Sequence, residues 1–179
     1  VLSSGQLAIS VTFRPRGNAL PMIPRIGLTA TMPRAFAQVN WFGLGPEENY
    51  IDRRAGVWVG RFSGTVDQLF HRYGDIQESG QRTGIREVSF TRPGGAGIRV
   101  RATGPDLLAF GAYPGLAADL EIARHPLDLP ERAVVTINLD HGQMGLGGTN
   151  SWGALPLPQY RLNATGEYRF SLLLTLLVR

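Results

Sequence analysis

The chain has no cysteine and no lysine among its 179 residues, and only 18% of them are charged. Without cysteine there are no disulfides, no thiol chemistry and no Cys-ligated zinc site. Without lysine there is no G-x-x-x-x-G-K-[ST] phosphate loop, and no G-x-S-x-G nucleophile elbow occurs either. His71, His125 and His141 lie far apart and form no H-x-x-x-H pair, which excludes a helix-borne zinc protease site. No apolar run is long enough to span a bilayer as a helix; the longest, at 172–178, is interrupted by Thr175. The chain opens at Val1 with no cationic segment leading into an apolar one, so no secretory leader is expected and the cytoplasm is the expected location. On that expectation the Asn163-Ala164-Thr165 sequon carries no glycan.

What is present is a 43% apolar composition with 23 Gly and 12 Pro, which fits one folded domain of short elements and many turns. The net charge is +4 and every basic residue is Arg. Those arginines stand singly among acidic and apolar residues, and only Arg53 and Arg54 adjoin. A surface that tracks phosphates needs a cationic stripe, so nucleic acid is not an expected partner.

The dominant period is two. Leu7, Ile9, Val11 and Phe13 alternate with small or polar residues, as in a half-buried strand. Further strands are expected over 25–31, 36–42, 84–90, 98–103, 107–112, 134–139, 160–163 and 168–178. Turn signals recur at 16–18, 93–95, 103–105 and 164–166. Helix is confined to one turn at 66–70 and a short segment at 116–123. The last strand is apolar on both faces, so it is either central in a two-layer stack or covered by a partner. The spacing predicts a single all-β domain, an antiparallel sandwich over 1–179.

Two segments carry more than core. In the first, Val39 to Arg53, a strand runs through Gly43, Gly45 and Pro46 into a dense polar stretch. In the second, Asn138 to Trp152, a strand empties into a loop with four glycines that ends in an indole. No helix or cation follows those glycines, so phosphate is not their ligand; a loop that approaches another surface and presents one ring fits better. Glu47 and Glu48 are read as loop carboxylates bonded to backbone or Arg. Trp41 and Trp58 are read as packing residues, and Trp152 as either a buried loop anchor or an exposed platform.

These blocks resemble the small chain, or C-terminal domain, of the family-two β-galactosidases. The resemblance rests on Val39 to Arg53; on Tyr73 with the Glu78-Ser79-Gly80-Gln81-Arg82-Thr83-Gly84-Ile85-Arg86 element; on Met144 to Trp152; and on Leu20 to Leu28 upstream. It implies a galactose-mutarotase-like β-sandwich that is part of a longer enzyme. In the family the catalytic glutamates lie on a TIM-barrel portion, so no catalytic residue, metal ligand or cofactor is expected in this chain. The implied partners are that catalytic portion or large subunit and a terminal β-galactoside, within an oligomer. Trp152 is the implied sugar-stacking residue, with Asn150, Ser151 and His141 as polar neighbours. The chain departs from the family in having Thr149-Asn150 where two acids are common, and Gly74-Asp75-Ile76 before the Glu78 element. The family domain also extends further on its N-terminal side, so exposed edges or an uncovered apolar face are expected. Two other readings stand beside this one: a purely structural or oligomer-forming sandwich with Trp152 packed inside, and an aldose epimerase using His125 or His141 with a carboxylate.

Overall fold

The computed structural model describes every residue except Ser4, Thr149, Ser151 and Arg179. Ten strands form two antiparallel sheets: β1 Leu7–Phe13, β2 Arg25–Pro33, β3 Gln38–Gly45, β4 Trp58–Thr65, β5 Arg82–Ile85, β6 Glu87–Thr91, β7 Gly97–Ala102, β8 Leu108–Pro114, β9 Val134–Gln143 and β10 Tyr168–Leu177. One sheet has the order β1-β10-β7-β6-β3-β4, the other β2-β9-β8-β5. Two short helices, α1 Val66–Leu69 and α2 Ala117–Ile122, interrupt the strands. The chain is an all-β sandwich, as its period-two patterning predicts.

Alternation builds the core between the sheets. Val39, Trp41, Val88, Phe90, Val100, Phe170 and Leu172 of the larger sheet meet Ile85, Leu108, Phe110, Ala112, Val135, Ile137 and Leu139 of the smaller. The two outer faces differ. That of the smaller sheet is covered: Phe70, Tyr113 and Leu120 form a second apolar cluster with Ile76 and Leu129. That cover explains why every residue from Leu108 to Tyr113 is buried, whichever way it points. The opposite face carries half-buried Glu87 and Arg99 and exposed Arg101, with Arg101 Nη2 3.0 Å from Glu87 Oε2.

The structure departs from the sequence expectations in four places. The single strand expected at 84–90 is two strands in different sheets, divided at Arg86. Residues 160–163 form no strand; a 3-10 turn covers Pro158–Tyr160, and Leu162 makes only an isolated bridge to Ile23. Strand β4 was not anticipated. Trp58, at its start, is 60% exposed and touches Phe62 edge-on at 6.0 Å instead of packing in the core. The apolar last strand, β10, lies between β1 and β7.

Candidate functional site

The 46–53 turn leaves β3 and is held rigidly from beneath. Asn49 is fully buried: its N–H donates to the Gln81 carbonyl (2.7 Å), its Oδ1 accepts from the Thr83 N–H and hydroxyl (3.0 and 2.5 Å), and its amide donates to the Glu47 carbonyl (3.0 Å). Arg82 is buried below it, donating to the carbonyls of Leu69 (2.9 Å), Gly80 (2.6 Å) and Pro46 (3.2 Å), with its guanidinium 5.5 Å from the Trp41 ring centre. Burial lowers the Arg82 pKa, and the nearby Glu48 and Glu47 oppose that shift.

Glu48 accepts from the Gly80 N–H at 2.7 Å, from Tyr50 at 3.4 Å and from the Tyr73 hydroxyl. It is therefore a loop carboxylate bonded in place, as its sequence context suggested. Burial raises the Tyr50 pKa and Glu48 adds to the shift, so that phenol stays neutral. Together Glu48, Tyr50, Arg53, Tyr73, Glu78 and Leu146 line a cleft of about 380 Å³. Glu78 is engaged by Arg25 and by the Asn138 amide (3.0 Å).

The glycine-rich loop leaves β9 directly above this turn. Near its end β9 carries one extra residue, His141, because Asp140 pairs with Gly27 while Gly142 pairs with Ile26. Such a bulge bends a strand and re-aims the chain that follows. The loop is then pinned at successive amides. Met144 N–H donates to the Pro24 carbonyl (3.0 Å), Gly145 N–H to that of Tyr160 (2.7 Å) and Gly147 N–H to Asp52 Oδ2 (2.9 Å). Arg53 Nη2 donates back to the Gly147 carbonyl at 3.1 Å. The two blocks that stood out in the sequence are thus joined in space, through Asp52 and Arg53, which sequence reasoning did not single out as functional.

Trp152 is 90% exposed. Its N–H donates to Asn150 Oδ1 at 2.9 Å, and the Ala154 N–H approaches the same oxygen at 3.4 Å. Asn150 therefore forms the local turn that holds up the ring, a common use of Asn. Ser151 lies outside the described residues. His141 points elsewhere: its ring stacks on Phe170 (5.6 Å, 16° between planes) and meets Tyr168 edge-on (5.9 Å). The structure brings Trp152 and Asn150 together and sets a half-buried His141 against Tyr168 and Phe170 of β10.

The epimerase alternative would draw its base from His125 or His141. His125 is exposed and caps its own turn, its Nδ1 accepting from the Leu127 N–H at 3.2 Å. His141 packs on phenyl and phenol rings. The buried acid nearest the loop, Asp140, is pushed up to about 7 by desolvation; Arg25, 3.7 Å away, and the Gln81 amide at 3.1 Å oppose that shift, while Glu78 adds to it. Among the described residues no cluster of three or more His, Asp or Glu could hold a metal ion. No described helix is long and apolar enough to cross a membrane.

Comparison with known proteins places the chain. The profile of the β-galactosidase small chain matches residues 1–174. A β-galactosidase of Halalkalibacterium halodurans is 36% identical over 172 residues, covering 95% of this chain and 17% of that protein. One from Priestia megaterium is 34% identical over 166 residues (93% and 16%), and one from Vibrio cholerae 35% over 155 (87% and 14%). The chain spans only 14–17% of the length of these relatives. With the match running nearly end to end, and both glycine-rich blocks meeting in one place, the chain belongs to the β-galactosidase small-chain family.

Proposed function

We propose that this chain forms a non-catalytic wall of a β-galactosidase active site and helps the enzyme hydrolyse terminal β-galactosides. The catalytic carboxylates lie on another part of the protein, a TIM-barrel portion or large subunit, and the complete enzyme is an oligomer working in the cytoplasm. Trp152 stacks on the apolar C–H face of the sugar, and Asn150 and Ser151 flank it. The observation that carries this reading is the placement of Trp152: an indole 90% exposed at the end of a loop whose base is bonded to the 52–53 turn. An indole face suits the C–H side of a pyranose, whereas an anchor of the sandwich rim would be buried. The purely structural alternative needs Trp152 packed internally, and its exposure speaks against that. His141, stacked on Phe170, supports the strand beneath the loop in this reading instead of meeting the sugar.

The test is Trp152→Ala in the full-length enzyme. Loss of one aromatic contact corresponds to a KM for galactosides about tenfold higher, with kcat changed less. An unchanged KM across several galactosides would contradict the assignment.

A further inference from the structure

Gly147 is gripped on both sides of its peptide: Asp52 Oδ2 accepts its N–H at 2.9 Å and Arg53 Nη2 donates to its carbonyl at 3.1 Å. The gripping residues are consecutive, whereas the loop they hold is 95 residues further along the chain. The loop sequence is fitted to this grip. A Cβ at position 145 would stand 2.6 Å from Asp52 Oδ2, so the carboxylate occupies the space that Gly145 leaves empty. Gly147 has φ +71°, a left-handed conformation that brings both its N–H and its carbonyl to the turn.

The turn cannot follow the loop if the loop moves. Arg53 N–H is bonded to the Tyr50 carbonyl at 2.8 Å, and Asn49 is tied to Gln81 and Thr83 of the sandwich. Only four residues separate Gly147 from Trp152 in sequence, and the Trp152 backbone N–H donates to Asn150 Oδ1. The backbone leading to the indole is thus tethered at two described points, the Asp52–Arg53 grip at Gly147 and the Asn150 turn at Trp152. Asp52 Oδ1 is buried and accepts no hydrogen bond from the described residues, so only one of its oxygens works in the grip.

We propose that Asp52 and Arg53 are positioning residues for substrate: they touch no sugar but hold the Trp152 loop at the height where it meets one. This rests on the reading of Trp152 as the sugar-facing ring, and the test separates the two. Full-length enzyme carrying Asp52→Ala is compared with Asp52→Asn, Trp152→Ala and the double variant Asp52→Ala/Trp152→Ala. Asp52→Ala raises KM about fivefold and leaves kcat within about twofold, since the lost contact orients binding and not bond cleavage. Asp52→Asn stays within about twofold of wild type, because its amide oxygen accepts the same Gly147 N–H. The double variant is no worse than Trp152→Ala alone, as expected when one residue acts through the other.

Hydrogen exchange across residues 144–156 rises in Asp52→Ala and not in Asp52→Asn, and this readout does not depend on sugar binding. Wild-type KM and exchange in Asp52→Ala, or additive losses in the double variant, would overturn the proposal; so would Asp52→Asn failing as badly as Asp52→Ala. A wild-type KM in Trp152→Ala would overturn the sugar-facing reading, whatever the exchange shows of the grip. Arg53→Ala alters an exposed side chain and carries the same expectation at smaller size, so the test stands even if Asp52→Ala does not fold.

Discussion

Trp41 and Trp152 each stand beside a glycine-rich turn, yet the fold uses them in opposite ways. Trp41 is 4% exposed, its indole N–H donates to the Leu44 carbonyl at 3.1 Å, and its ring lies 5.4 Å from Phe62 and 5.8 Å from Phe110. Among the described residues Trp152 is held through its backbone N–H, and its ring stands in solvent. The difference comes from what lies opposite. Trp41 is on the inner face of a strand with a second sheet packed against it, whereas Trp152 lies outside both sheets, after a strand that ends in a bulge and a loop tied to Asp52 and Arg53. Glycine serves both: near Trp41, Gly45 makes room for Phe62, and near Trp152, Gly145 makes room for Asp52. One tryptophan packs inside the sandwich and the other stands exposed.

That contrast can be broken most sharply at Trp41. Replacing it with Ala leaves a large cavity under Arg82 and should cost about 3–5 kcal/mol, read as a lowered urea midpoint. A loss below about 1 kcal/mol would mean that the ring is not part of the cooperative core.

Asp140 gives a smaller effect with a pH signature. Its folded pKa of about 7 lies above the ordinary carboxylate value of 3.8, so the folded chain binds a proton that the unfolded chain releases between those limits. Stability from this group is full below about pH 4 and is lost as pH rises through about 7. Asp140→Asn keeps the neutral shape and should leave stability nearly unchanged below about pH 4, raise it already by pH 5 and raise it most at pH 8, by on the order of a few kcal/mol. Equal midpoints for both proteins at pH 8 would contradict the role given to burial. Trp152→Ala should have the smallest effect on folding, within about 0.5 kcal/mol, despite its effect on KM.

Much of the sandwich is legible because alternation survives where one face meets the core, as in β1 and β7. Strand β4 was hidden because Trp58 and Val59 are apolar but exposed, and because Gly60 and Gly64 read as loop. Gly60 is there for packing: a Cβ on it would stand 2.8 Å from the Phe62 ring. The division of β5 from β6 was hidden too. Gly84 has φ +64°, and the Arg86 N–H pairs with Phe42 across the sheet, which no local pattern announces.

At the site, the resemblance drew attention to Trp152 and to both blocks, but not to their union. Asp52 and Arg53 close one block and Gly147 sits inside the other. The available signal was a pair of charged residues beside Tyr50 together with glycines too closely spaced to serve a simple turn. Chain separation concealed the link, since hydrogen bonds across 95 residues leave no periodicity. His141 opens the loop in sequence, which is what groups it with Trp152 there. In space its ring meets those of Tyr168 and Phe170, at a bulge that no local pattern announces.

The central claim is that the chain completes an active site without supplying its chemistry. The most direct measurement is hydrolysis of a chromogenic β-galactoside by three samples: this chain alone, the remaining portion of the full-length enzyme alone, and the two mixed. The account predicts turnover only on mixing. Turnover by this chain alone would contradict it and return the search to the chain's own carboxylates.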